Sequence, residues 1–293
     1  MKAYINHINA ISRYQYLEGS IIEQSEIIEP DYESILDVRA MRRLSKILKM
    51  GLFTALSVKN QANRQPDGII CGTALGCLAD TYQFLKNMSD RDEQLLTPTA
   101  FIQSTHNTLS GTLGIMLQNH SYNITWSNRE FSFYDALEDA IIRVNKCTDD
   151  HILLTAADEM PRQVAEIIDS IPLDCPVPIN SEGAASFWIS SRPAGISITI
   201  ESILTVQTSD VIKIVAETSE KTIVINSNPF LSFTQTDRVH NLVNAHRSLI
   251  DDAFCLHVGC QLLSLCREKS NPKQEVLCIG GNDAFSSLVK ISC

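Results

Sequence analysis

The sequence lacks the features of a membrane protein and of a nucleic-acid-binding protein. It contains no apolar run of about 18 residues, the length that a membrane-spanning helix needs. No charged segment followed by an apolar run opens the chain, so we expect a cytoplasmic protein. Only 24 Lys and Arg stand against 34 Asp and Glu, which gives a formal net charge of −10. Phosphate binding needs clustered cations, so nucleic acid is not an expected partner.

Metal-binding patterns are also missing. The nine cysteines include no CxxC pair and no Cys/His cluster with zinc spacing. An odd number of cysteines in mostly apolar surroundings is typical of reduced core thiols. We therefore expect neither a metal site nor a cofactor.

Short apolar runs alternate with amphipathic stretches along the chain. Hydrophobic residues make up 44% and charged residues 20%, as in packed globular proteins, and no linker rich in Gly, Ser or Pro divides the chain. Apolar spacings of three and four predict helices at 38–59, 111–117, 133–144 and 254–266. Runs of β-formers predict strands at 3–12, 66–73, 122–126, 152–156, 184–189, 196–206, 222–226, 275–279 and 287–291. This alternation is typical of the α/β class.

Four segments, in this order, resemble the β-ketoacyl synthase family of thiolase-like proteins. PDGIICGTALGCLADTYQFL at 66–85 resembles the family's strand and GTGLGG-type turn, and ITWSNREFSFYDALEDAIIR at 124–143 falls where the nucleophile elbow and its helix belong. SEGAA at 181–185 resembles the GEGAG turn, and GGNDA at 280–284 resembles the GGTN-type turn. The resemblance implies a thiolase-like layered fold (αβαβα) with an N-terminal half at 1–190 and a shortened C-terminal half at 191–293, packed as one unit.

A more specific likeness is to the ketosynthase-like proteins of bacterial aryl polyene and flexirubin pigment clusters. It is carried by LLTPTAFIQSTHNTLSGTLGI at 95–115 and by FSF at 131–133. Some members of that group resemble chain-length factors. The likeness implies two partners, a full-length ketosynthase in a heterodimer and an acyl carrier protein.

The nucleophile of a condensing enzyme is missing from this chain. Condensation by the family requires a cysteine thiolate at a helix N-terminus, where the helix dipole lowers the pKa of the thiol. No cysteine lies between Cys77 and Cys147, and the register of the second segment puts Glu130 at the nucleophile position within a residue or two. Two interpretations of Glu130 stay open, a capping role at the helix dipole and a role in a functional pocket. Ser132 is a weak nucleophile candidate, because a serine needs an adjacent base.

The assisting histidines of the family are equally hard to find. Residues 223–229, where the resemblance places an HGTGT-like strand, read IVINSNP and contain no histidine. His246 approximates the position of the family's second histidine but lacks its flanking glycines. His240, His246 and His257 are better explained as exposed or packed helix residues. His246 therefore remains only a weak catalytic candidate.

The resemblance also suggests residues at an interface or pocket. Thr105, His106 and Asn107 precede a helix close to the expected subunit interface, where Ser104 or Thr105 would cap backbone N–H groups. Phe131 and Phe133 belong to the same expected region. A basic cluster at helical spacing is either a solvated helix face or a docking patch for an acidic carrier protein; it contains Arg39, Arg42, Arg43, Lys46 and Lys49.

Taken together, these features predict a non-condensing subunit of the chain-length-factor type that pairs with an active β-ketoacyl synthase. Two alternatives stay open. One is an active decarboxylase or acyltransferase that uses Glu130, Ser132 or a histidine. The other is a homodimeric acyl-binding scaffold.

Overall fold

The computed structural model is a mixed α/β fold around a ten-stranded sheet. It describes residues 2–17, 20–23, 27–94, 96, 98–146, 149–170, 182–194, 197–219, 221–228, 231, 233, 239–241, 253, 256–258, 260–261, 263–264, 274–282 and 284–293. Within those ranges no helix is both long enough and apolar enough to cross a membrane.

The named helices follow one another as α1 Val38–Met41, α2 Lys46–Ala62, α3 Leu78–Asp90, α4 Pro98–Gln103, α5 Thr108–Met116, α6 Ser132–Lys146, α7 Arg162–Asp169 and α8 Thr208–Glu217. Further helical positions occur between 253 and 264. The strands are β1 Ala3–Ile11, β2 Tyr14–Leu17, β3 Ser20–Glu23, β4 Gly68–Gly72, β5 Tyr122–Trp126, β6 His151–Asp158, β7 Gly183–Ser190, β8 Ile198–Gln207, β9 Thr222–Asn226, β10 Val239–Asn241, β11 Glu275–Gly281 and β12 Phe285–Ser292.

The strand order of the large sheet repeats. It runs β10-β9-β11-β12-β8-β1-β7-β6-β4-β5. From the centre outwards, the first half has the order β1-β7-β6-β4-β5 and the second half has the matching order β8-β12-β11-β9-β10. The two sets meet where β1 pairs with β8 in an antiparallel ladder. The predicted shortening of the second half therefore does not remove a strand from this pattern.

Alternation along the strands decides which layer each side chain enters. In β6, Ile152 and Leu154 face a cluster that also contains α6 and the helical positions near 260, whereas Leu153 faces the cluster of α2 and α5. In β11, Val276 joins the first cluster and Leu277 joins the cluster of α8. Because successive strand residues point to opposite faces, both strand sets are covered on both sides. The result is the five-layer αβαβα arrangement.

Most predicted elements are confirmed, and several corrections have local causes. The single helix predicted at 38–59 is two helices, because Ser45 adopts an extended backbone (φ −67, ψ 169) as the N-cap of α2. The sequence pattern also missed the helices α3, α4, α7 and α8 and the strands β2, β3 and β10. α3 contains no fully buried residue, so its apolar stripe is weak.

Gly72 lies where β4 approaches the first turn of α6, and it supplies a test of this packing. A Cβ at Gly72 would lie 2.9 Å from the Ser132 carbonyl oxygen, whereas a Cβ at Gly111 would meet nothing within 4 Å. We expect Gly72→Ala to lower the free energy of unfolding by about 1–3 kcal/mol through overpacking. Gly111→Ala, within helix α5, should raise it by about 0.5–1 kcal/mol. Urea denaturation of both variants checks this, and equal stability of the two would contradict the close approach of β4 and α6.

Candidate functional site

The turn from β5 to α6 is held by its own hydrogen bonds. The Ser132 hydroxyl donates to the Arg129 carbonyl oxygen at 2.6 Å and accepts the Asn128 N–H at 2.8 Å. Arg129 has φ +47, a left-handed conformation that is uncommon for a residue with a side chain. The strand-to-helix turn is therefore tight, and Glu130 follows its left-handed residue directly.

Asp139 ties this turn to the body of α6. Its Oδ2 accepts hydrogen bonds from the Tyr122 hydroxyl at 2.9 Å and from Trp126 Nε1 at 3.0 Å. Both donors lie on β5 and the acceptor lies on α6. This contact fixes the direction in which the helix leaves the strand.

Glu130 lies in the 3-10 turn Arg129–Phe131 immediately before α6. Its side chain is half-buried, and its Oε1 accepts a hydrogen bond from Asn282 Nδ2 at 2.6 Å. Asn282 belongs to the GGNDA turn between β11 and β12. The structure thus brings together the nucleophile-position segment and the C-terminal glycine turn, which lie 152 residues apart in the chain. The capping and pocket interpretations of Glu130 both stay predictions.

Buried asparagines occupy the place where histidine was sought. Asn226 ends β9, and both Asn226 and Asn228 are 0% exposed. Asn228 Nδ2 donates to the Asn282 carbonyl oxygen at 3.0 Å and to Ser286 Oγ at 2.8 Å. The Thr208 hydroxyl reaches the same carbonyl at 2.9 Å. Hydroxyl and amide groups, which do not titrate near neutral pH, line this part of the site.

Ser132 is not a nucleophile in this arrangement. Its side chain is 3% exposed and its hydroxyl proton is directed at the Arg129 carbonyl, so its oxygen holds the turn. This corrects its candidacy and leaves it a structural serine. His246 lies outside the described residues. His257 is buried, and burial lowers its pKa to about 4, so the ring is neutral and packed as expected.

The predicted interface segment lies over the glycine turn after β4. Thr105, His106 and Asn107 are exposed, and the His106 ring would lie 3.1 Å from a Cβ placed on Gly76, whose φ is +67. The capping interpretation is wrong: Ser104 and Thr105 donate to carbonyl oxygens, and α5 is N-capped by Asn107 without a side-chain hydrogen bond.

The two phenylalanines of the FSF motif occupy different environments. Phe131 is half-buried against the central cluster. Phe133 is 3% exposed, and its ring packs with those of Tyr134 and Phe187 at centroid distances of 5.7 Å. This corrects the assignment of Phe133 to an interface, because its side chain is part of the core.

Two buried carboxylates at the end of β6 were missed at the sequence level. Asp158 accepts hydrogen bonds from the Thr73 hydroxyl at 2.7 Å and from the Leu75 N–H at 3.0 Å, and so shapes the glycine turn. Glu159 accepts from the Ala79 N–H at 2.9 Å in the first turn of α3. The sequence signal that could have indicated this site is the acidic pair Asp158 and Glu159, which directly follows an apolar run.

Burial perturbs both carboxylates in the same direction. Desolvation raises the pKa of Asp158 to about 6, against the effect of its hydrogen bonds. Desolvation likewise raises the pKa of Glu159 to about 7, and the nearby charges of Asp80 and Glu182 add to this rise. Lys46 pairs with Glu182 and with Glu29 at 3.6 Å. Across the described residues, no three His, Cys, Asp or Glu side chains are grouped to hold a metal ion.

These shifts predict that Asp158 and Glu159 contribute a fall in the free energy of unfolding as the pH rises towards 7. Between the unfolded pKa of Glu159 near 4.5 and its folded pKa of about 7, the folded chain keeps a proton that the unfolded chain has released. Each such group lowers the free energy of unfolding by up to about 1.4 kcal/mol per pH unit. Glu159→Gln should flatten the pH dependence between pH 5 and 7, measured by urea denaturation. Glu138→Gln, at an exposed site on α6, should leave it unchanged; an identical slope in both variants would contradict the shift.

Comparisons with known proteins agree with this architecture. The sequence-family model of the β-ketoacyl synthase N-terminal domain matches residues 23–244 of this chain. A search of curated proteins finds no match. The ketosynthase ApeO in complex with its chain length factor ApeC from Xenorhabdus doucetiae is a similar solved structure, with a TM-score of 0.60, 16% identity and 100% coverage of both chains.

Two further solved structures show the same fold. A type II polyketide synthase acyl-carrier protein in complex with its ketosynthase, AntDE:AntF, gives a TM-score of 0.75 at 10% identity, over 100% of this chain and 99% of that chain. The ishigamide ketosynthase/chain length factor gives 0.72 at 12% identity with the same coverage. The family model covers well over half of the sequence, and the chain therefore belongs to the β-ketoacyl synthase family.

Proposed function

We propose that this chain is a non-condensing subunit of the chain-length-factor type, which pairs with a complete ketosynthase. The observation that carries the proposal is the contact between Glu130 and Asn282 at the position of the nucleophile. A carboxylate there cannot hold an acyl chain as a thioester, and condensation depends on a thiolate. Asn228, where a histidine would assist, cannot transfer a proton. The pathway class that we propose is aryl polyene or flexirubin-type polyketide synthesis.

The open edge of the sheet supports a protein partner. β5 is the last strand of the ten-stranded sheet on the side of the first half. Beside it lies a groove lined by Gly111, Gly114, Ile115 and Asn123, and Ile115 is 80% exposed. An edge strand offers unpaired backbone groups to a second sheet, and exposed apolar side chains add contact area. We assign the ketosynthase partner to this edge.

A basic patch supports a carrier protein as the second partner. Arg39, Arg42 and Arg43 are exposed on a chain of net charge −10. Lys46, expected in the same patch, is instead engaged by Glu182 and Glu29. The three exposed arginines and the half-buried Lys49 therefore remain to attract an acidic carrier protein by charge complementarity.

The heterodimer is tested by co-expression with a ketosynthase encoded beside this protein. We expect the two to co-elute in size-exclusion chromatography at the mass of a heterodimer. Ile115→Glu should abolish co-elution, because it places a charge in the groove beside the sheet edge. Ile212→Glu is the matched control, since Ile212 is 60% exposed on α8 in the other half. Elution of the wild-type chain as a homodimer, without the ketosynthase, would favour a homodimeric scaffold instead.

Catalytic inactivity is tested with the purified chain and a malonyl-carrier protein. We expect no release of carbon dioxide without the ketosynthase, because the site holds neither a thiolate nor a proton-transferring histidine among its described residues. Release in the presence of the partner should disappear when the partner's own assisting histidines are replaced. Release by the isolated chain would instead establish an enzyme with altered chemistry.

Carrier-protein binding is tested by reversing the charge of the patch. The triple variant Arg39→Glu, Arg42→Glu, Arg43→Glu should weaken binding of the carrier protein to the heterodimer by about tenfold or more at low salt. The loss should shrink as ionic strength rises. Lys213→Glu, at an exposed site on α8, is the control and should bind as the wild type does. Equal binding by both variants, measured by titration calorimetry, would remove the patch from the proposal.

A further inference from the structure

The amide of Asn282 has only one possible orientation. Its Oδ1 accepts the backbone N–H of Ala284 at 2.9 Å and that of Phe285 at 2.8 Å. Both neighbours are donors, so the oxygen must face them and Nδ2 must face Glu130. The carboxylate of Glu130 therefore receives a donor whose direction is set by the turn itself.

The backbone of Asn282 is held as firmly as its side chain. Its N–H donates to the Phe285 carbonyl oxygen at 2.8 Å. Its carbonyl oxygen accepts from Asn228 Nδ2 at 3.0 Å and from the Thr208 hydroxyl at 2.9 Å. Asn228 is in turn fixed by its own N–H, which donates to Asn226 Oδ1 at 3.1 Å. A chain of amides thus runs from the end of β9 to the turn before α6.

We propose that Glu130, Asn282 and Asn228 form an amide lock that closes the nucleophile position and joins the two halves of the fold. Asn282 and Asn228 are its positioning residues, and Glu130 is the acceptor that they hold. The lock ties the β5–α6 turn, which its own hydrogen bonds shape, to the turn between β11 and β12. An effect of the lock on the chain length of the partner's product rests on the proposed heterodimer.

Exchanging donor and acceptor tests the lock directly. Asn282→Asp alone should raise the unfolding equilibrium constant by about tenfold or more at pH 8, because two carboxylates would then face each other. Glu130→Gln alone should stay within about threefold of wild type, since a glutamine oxygen still accepts from Asn282. The double variant Glu130→Gln, Asn282→Asp restores one donor and one acceptor in reversed roles. It should recover most of the stability lost in Asn282→Asp.

The pH profile adds a readout that general loss of packing does not produce. At each pH the variants are compared with wild type by their urea midpoints. Asn282→Asp should recover stability as the pH falls to 5, because protonation of one carboxyl supplies a new donor. The double variant should show no such recovery. A stable Asn282→Asp variant at pH 8, or a double variant no better than Asn282→Asp, would overturn the lock.

The heterodimer supplies a separate functional readout. In complex with the ketosynthase, Asn282→Asp should shift the distribution of product chain lengths, and the double variant should restore it. An unchanged distribution in Asn282→Asp would overturn the link between the lock and the product. If the stability exchange succeeds but no heterodimer forms, the lock stands and the proposed function fails, so the two failures are distinguishable.

Discussion

Helix α6 is packed between the two strand sets, and the site depends on this position. Its apolar face, which includes Ala136, Leu137 and Ala140, belongs to the same cluster as inward residues of β7 and β11. A helix covered from two sides cannot rotate or slide without exposing apolar area, which costs about 25 cal/mol per Å². Its N-terminus is therefore held at one place, where a turn of the second half can reach it.

The polar contacts at that place follow from the fixed position of the helix. Asp139 links α6 to Tyr122 and Trp126 of β5, and Ser132 closes the turn between them. Glu130 is then held within reach of Asn282. A condensing enzyme would use the same strand, turn and helix to hold a reactive thiolate near a helix dipole. Here the same geometry holds a carboxylate by hydrogen bonds that supply no proton transfer.

A second set of buried polar groups supports the outer side of the first half. Asp158 organises the glycine turn after β4, while Glu159 accepts a backbone N–H at the start of α3. Both are desolvated enough to raise their pKa values towards neutrality. The glycine turn after β4 is thus held by the Asp158 carboxylate.

The sequence by itself determined most strands, the helix α6 and the absence of a thiol between positions 77 and 147. These are local properties, because apolar spacing reports which face of a strand or helix is buried. Only the tertiary structure decided that Asn282 hydrogen-bonds Glu130, that Lys46 forms an ion pair with Glu182, and that the Phe133 side chain is buried in the core. Each of these depends on which distant groups come within hydrogen-bonding or packing distance. That is set by how the layers stack, which no single segment encodes.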